Sequence, residues 1–222
     1  MRQYALITGS YWAFTLTDGA LRMLVVLYFH ELGYSPLDIA LLFLFYELFG
    51  VVTNLLGGWL AARAGLAVTL TGGLFLQVIA LSMLLVDASH LSVGYVMLAQ
   101  ALSGIAKDLN KMGAKSSVKL VAGNSQGRLY RWVAWLTGSK NALKGVGFFA
   151  GGAGLASIGF SASIAVMAVA MGLVGILALM LLDKSMGKAS YQPKFSDLLS
   201  KSRRINLLSA ARLFLFGSRD VW

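Results

Sequence analysis

Apolar residues fall in six long blocks, each of a length that crosses a bilayer as a helix. They cover about residues 5–29, 37–61, 67–86, 91–113, 129–155 and 161–182. A spanning helix needs roughly 20 predominantly apolar residues. A seventh block opens near Ile205 and runs to Trp222. No series of short segments alternates apolar and polar residues, which sets aside an outer-membrane barrel. The first block is too long for a cleaved signal peptide, carries Asp18 and Arg22, and has no small-residue cleavage site. The pattern predicts an all-α integral membrane protein. Its parts are a six-transmembrane-helix bundle over 1–183, a basic linker over 184–204 and the truncated start of a seventh helix over 205–222.

Composition narrows the class further. Hydrophobic residues make up 58% of the chain and charged residues 13%, against about 45–50% and about 25% in soluble domains. Mean hydropathy is +0.73. One soluble core cannot hide that much apolar surface, because every domain leaves a large face to water. Soluble enzymes and disordered tails are excluded, and zero cysteines exclude disulfide frameworks and thiolate metal sites. The 25 glycines suit helices that pack closely in lipid. Nineteen Lys and Arg against nine Asp and Glu give a net charge of +10. In a soluble chain this would suggest nucleic acid; in a membrane chain cytoplasmic loops collect Lys and Arg, so no nucleic-acid partner is expected.

The connections carry that asymmetry. His30–Pro36, Asp87–His90 and Ala156–Ser161 hold no Lys or Arg. The alternate connections hold Arg63, then Lys115, Lys119 and Arg128, then Lys184, Lys188, Lys194, Lys201, Arg203 and Arg204. The N-terminus and the 183–204 loop are therefore expected in the cytoplasm, with the chain in the cell's inner membrane. The loop, with Pro193 among Lys, Ser and Gly, resembles a linker between halves. Many transporters place a substrate site between two six-helix bundles near the midplane. The chain is expected to be the N-terminal half, its partners the lipid bilayer and a C-terminal six-helix half.

Charges remain inside the blocks, where each costs at least about 2.5–3.5 kcal/mol and normally faces the bundle interior. Tyr11, Thr15, Asp18 and Arg22 share one helical face. Two readings stand: an internal pair that neutralises itself, or an anion-gripping Arg22 held by Asp18. A carboxylate beside Arg favours the holding role over proton carriage. Glu47, without a partner nearby in sequence, is a candidate for proton coupling or for a structural hydrogen bond. In AQALSGIAKDLNKMGAK, the residues Gln100, Gly104, Lys107, Asp108, Lys111 and Lys115 fall within an arc of about 100°. Lys115 can snorkel to headgroups; Lys107 is too deep. In TGSKNALKGVGFFAGG, Lys140 and Lys144 repeat the one-turn spacing around Asn141, and like charges so spaced repel unless an anion joins them. Gly145, Gly147, Gly151 and Gly152 follow as a stripe suited to helix contact. Arg22, Lys107, Lys140 and Lys144, with Lys111, Asn141 and Tyr11, form the candidate site for a small polyanion. Asp18, Glu47 and Asp108 are its counter-charges. Neither a metal nor a cofactor is implied.

GGWLAARAG resembles the loop signature of the major facilitator superfamily, with Gly58, Arg63 and Gly65 at its Gly, basic and Gly positions. Ala62 stands where that pattern has Asp, and Leu66 where it has a further basic residue. The stretches SYWAFTLTDGALRMLVVLYFHELGYSP, FLFYELFGVVTNLLGGWL, AQALSGIAKDLNKMGAKSSVKL and LYRWVAWLTGSKNALKGVGFF are similar to the organoarsenical efflux permeases of the ArsJ type. That resemblance runs through all six spans into RINLLSAARLFLFGSRDVW. It implies about twelve spans in the whole carrier and export of 1-arseno-3-phosphoglycerate, giving arsenate resistance. It also implies a functional link to a glyceraldehyde-3-phosphate dehydrogenase that makes the ester from arsenate.

Rival readings are a sugar-phosphate antiporter of the same superfamily, a membrane enzyme, and a non-transporting scaffold. An enzyme requires a nucleophile–base or metal arrangement. The two histidines, His30 and His90, fall in short outer connections, and HExxH, GxSxG and CxxC are absent. The expectation is a transporter with no catalytic residues.

Overall fold

The computed structural model describes residues 2–123, 126–183, 186–187, 202–208 and 210–211. Among the described residues the fold is carried by α1 Arg2–Glu31, α2 Pro36–Leu42, α3 Leu44–Ala64, α4 Leu66–Met83, α5 Val93–Ala122, α6 Gln126–Ile158 and α7 Phe160–Leu181. Among the described residues there is no strand. Most of the expected linker, including Lys184, Lys188, Pro193, Lys194 and Lys201, lies outside the described residues, as does the expected seventh helix beyond Ala211.

The six apolar blocks correspond to α1, α2 with α3, α4, α5, α6 and α7. The second is not one rod. Ser35 opens α2 with a capping box, its Oγ accepting from the Asp38 amide at 3.2 Å while its own amide donates to Asp38 Oδ2 at 3.3 Å. Pro36 occupies the first turn, where its missing N–H costs nothing. The helix then turns at Phe43 and restarts as α3. Among the described residues four stretches are long and apolar enough to cross a membrane: Arg2–Glu31, Pro36–Asn54, Leu66–Met83 and Phe160–Leu181. The longer α5 and α6 fall below that apolarity because they hold the lysine-bearing and glycine-bearing runs.

α1 packs against α6, α5 and α7; α5 packs against α4 and α3; α4 also meets α7. Helix backbones come together where side chains are missing. A Cβ at Gly19 would lie 2.7 Å from the Lys144 carbonyl oxygen and 3.3 Å from Gly147 Cα. One at Gly147 would run into the Leu16 carbonyl, and one at Gly151 into the Ala20 carbonyl. Small residues permit such crossings in lipid, where dispersion and close packing hold helices together. Of the expected stripe, Gly145 has open space around it and Gly152 meets Leu27 and Met23 only at ordinary distance. Gly104 likewise lets α5 lie on the Tyr46 backbone of α3, and Gly113 lets it lie on Leu70 of α4.

In the core between these helices Ile7, Leu21, Leu24, Phe29, Leu70 and Leu74 are fully buried. A polar pair crosses it, Ser103 Oγ donating to Gln77 Oε1 at 2.8 Å with both residues fully buried. On the outside the preference reverses: Val166, Val169, Leu173 and Met180 of α7 point outward. A contiguous apolar exterior of this kind needs lipid or a protein partner.

Candidate functional site

Four helices bring their charged turns to one place. The α1–α6 glycine crossing sets the Lys144 turn against the Asp18–Arg22 turn, and the Gly104 contact sets α5 against the Tyr46–Glu47 turn of α3. Glu47 accepts a 2.6 Å hydrogen bond from Arg22 Nη2 through Oε1, and its Oε2 lies 3.6 Å from Lys107 Nζ. The preceding residue, Tyr46, is fully buried, and its ring lies beneath both cations. Arg22 Cζ sits 4.1 Å and Lys107 Nζ 4.0 Å from the ring centroid. Each such cation–π contact contributes about 0.5–2 kcal/mol. The Tyr46 hydroxyl donates to Asp18 Oδ1.

This arrangement corrects the expected partnership of Asp18 with Arg22. Although one turn apart on α1, they form no ion pair. Asp18 is held by Tyr46, and Arg22 reaches across to Glu47. Glu47, without a partner nearby in sequence, therefore bridges two cations from two other helices.

Asp108, 2% exposed, accepts from Lys111 Nζ at 3.1 Å. Its other oxygen fits against α3 because position 50 is glycine; a Cβ there would lie 2.8 Å from Asp108 Oδ2. Lys140 and Lys144 complete the cluster from α6. Lys140 lies in the electrostatic field of Lys111, Lys107, Asp18 and Asp108, and Lys144 in that of Arg22, Asp18, Lys140 and Lys107. Lys144 Nζ is 5.7 Å from the Phe148 ring. Among the described residues, neither lysine has a carboxylate within 4.0 Å. Five cations (Arg22, Lys107, Lys111, Lys140, Lys144) thus face three carboxylates (Asp18, Glu47, Asp108), an excess of two positive charges.

An open cleft of about 410 Å³, lined by Arg22, Val26, Phe43, Glu47 and Phe148 among others, gives access to the Arg22–Glu47 pair. Small-molecule sites typically measure about 300–1,000 Å³. Asn141 is exposed beside Lys140. Tyr11 is 3% exposed and belongs to the hydrophobic core. Gly58, Arg63 and Gly65 belong to a separate feature at the end of α3. Arg63 stacks on Trp59 at 5.4 Å, and Gly65 takes φ +94° to turn the chain into α4. Sequence reasoning missed Tyr46 and Gly50. The run YELFG (Tyr46–Gly50) contained the signal, a phenol beside a buried-span carboxylate with a glycine one turn on. Among the described residues, no group of three His, Cys, Asp or Glu is placed to hold a metal.

Residues 7–222 match the profile of the Major Facilitator Superfamily. No curated protein matches the sequence. The fold is similar to crystal structures of a mutant peptide transporter POT. One, in complex with sulfate, superposes with a TM-score of 0.67 at 16% identity. Another superposes with a TM-score of 0.64 at 19% identity. Each match covers 99% of this chain and 44% of the other, so the chain spans less than half the length of these solved structures. At this identity the likeness establishes the fold. The profile is that of a transporter superfamily, and the membrane-enzyme reading falls away.

Proposed function

The chain belongs to the Major Facilitator Superfamily, and from that premise we propose that it is the N-terminal six-helix half of a secondary carrier. The carrier exports a small polyanionic organoarsenical, 1-arseno-3-phosphoglycerate, by alternating access. One observation carries the reading: five cations from three helices cluster with only three carboxylates to answer them. Isolated charge in a low-dielectric setting is costly, and an anion of more than one negative charge supplies what the cluster lacks. The resemblance of the sequence to ArsJ-type permeases favours 1-arseno-3-phosphoglycerate as that anion.

The residues divide the work by their chemistry. Arg22 has a planar fork that can hold an arsenate or phosphate oxyanion through two donors, whereas Lys107, Lys140 and Lys144 act as point charges. Glu47 occupies Arg22 and Lys107 in the empty state and yields them to the cargo. Asp108 tethers Lys111 at the rim. A C-terminal six-helix half provides the opposite wall, and rocking of the halves exposes the site to either side. The Gly58–Arg63–Gly65 turn serves as the gating loop. The carrier sits in the inner membrane with its N-terminus and 183–204 loop in the cytoplasm, where a glyceraldehyde-3-phosphate dehydrogenase supplies the ester.

Uptake of the arseno ester into everted vesicles tests the proposal. Wild-type carrier should accumulate it, while Arg22→Ala and Lys144→Ala should abolish both uptake and arsenate protection at unchanged membrane abundance. Protection that survives both substitutions refutes the cationic site. Preferential uptake of sugar phosphates over the ester would assign the carrier to phosphorylated metabolites instead.

A further inference from the structure

A carboxylate and a guanidinium one turn apart on a helix ordinarily close into a pair. Asp18 and Arg22 do not. Asp18 is 5% exposed, so water does not explain its separation. Tyr46 does: its hydroxyl donates to Asp18 Oδ1 while its ring lies under Arg22 at 4.1 Å and under Lys107 at 4.0 Å. A single fully buried side chain thus holds the anion by its edge and two cations by its face. The phenol can satisfy a carboxylate without bringing a positive charge, which a lysine or arginine in its place could not.

We propose, resting on the reading of this cluster as an oxyanion site, that Tyr46 is a positioning residue that keeps Asp18 from neutralising the site's cations. Without the hydroxyl, the buried Asp18 carboxylate has Arg22 one turn away on its own helix and Lys140 and Lys144 in its field. Pairing with any of them takes a donor away from the cargo. The phenol therefore sets the available positive charge of the site, although it need not touch the cargo. Tyr46→Phe isolates this role because it preserves the ring and the α3 backbone against which Gly104 packs.

The test uses the full-length carrier reconstituted in liposomes, with 3-phosphoglycerate as the probe. Tyr46→Phe should weaken binding about 10-fold, the order of one charge-assisted hydrogen bond. Tyr46→Phe with Asp18→Asn should restore affinity to near that of wild type. A merely structural hydroxyl predicts no such rescue, and a double variant as weak as the single one overturns the inference. A second readout is independent of cargo. The infrared carboxylate stretch that disappears in Asp18→Asn should shift in Tyr46→Phe as the phenol is exchanged for a cation. An unmoved band overturns the inference even if binding falls. A shifted band in a carrier whose wild type binds no 3-phosphoglycerate leaves the role of Tyr46 standing and refutes the oxyanion reading.

Discussion

Glu47→Gln removes one charge and almost no volume from the point where three helices meet. Glu47 Oε1 accepts from Arg22 at 2.6 Å and Oε2 faces Lys107 at 3.6 Å. An incoming oxyanion that uses the Arg22 fork must first displace this carboxylate. A hydrogen bond to a charged group contributes about 1.5–3 kcal/mol when buried, and an exposed ion pair about 1 kcal/mol or less. The Glu47 side chain is 57% exposed and Arg22 23% exposed, so solvent screening reduces the buried value to about 1–2 kcal/mol. Relieving that competition should tighten 3-phosphoglycerate binding about 5–30-fold. The gain should shrink as salt is raised, because part of it is Coulombic.

The same substitution leaves the wall with one more unanswered positive charge. The empty variant should therefore melt below wild type, while its stabilisation by 3-phosphoglycerate should exceed that of wild type, since ligand that binds only the folded state stabilises it in proportion to affinity. In vesicles KM should fall, and kcat should fall with it if return of Glu47 to Arg22 and Lys107 helps to expel cargo. Isothermal titration of purified carrier decides the matter. Unchanged or weaker binding by Glu47→Gln would show that the carboxylate supports the anion rather than competing with it, and the displacement reasoning would be wrong.

Gly147→Val should damage fold and site together, since its Cβ meets the Leu16 carbonyl and lies 3.1 Å from the Ala20 amide nitrogen; overpacking of this kind costs about 1–3 kcal/mol, measurable as a lowered melting temperature accompanied by weaker oxyanion binding. Ser103→Ala should behave differently. It leaves fully buried Gln77 Oε1 without its 2.8 Å donor, a loss of about 1–3 kcal/mol, and should lower thermal stability with KM for the cargo unaltered.

Legibility followed the range of the interactions. Block length, loop charge and the presence of intramembrane cations depend on neighbours in sequence, and the six helical regions stand where the apolar blocks lie. Partnership depends on how helices cross. Spacing on α1 pointed to Asp18 with Arg22, yet a residue pair on α3 separates them, which no count along α1 can reveal. Glu47 looked unaccompanied because its partners come from α1 and α5. The glycine stripe shows the same limit: Gly147 and Gly151 meet α1 while Gly145 faces open space, a difference set by rotation of α6 about its axis. The turn at Phe43 has no glycine or proline in Leu42–Phe43–Leu44 to announce it.

If a second half faces the cluster as proposed, the excess of two positive charges also constrains that wall. The bundle answers three of its five cations internally, and Lys140 and Lys144 have no carboxylate within 4.0 Å among the described residues. Carboxylates on the opposite wall at the same depth would answer them too, but they would close the cleft by their own attraction and repel an anion from it. An oxyanion carrier and a site sealed by such bridges therefore demand opposite compositions of the facing helices. If the cluster binds cargo, the facing wall must be poor in Asp and Glu at the level of Arg22 and Lys144, and rich in neutral donors or further cations. A structure of the full-length carrier with two or more carboxylates pointing at Lys140 and Lys144 would make these lysines an interlock between halves, and the anion-binding role would pass to other residues.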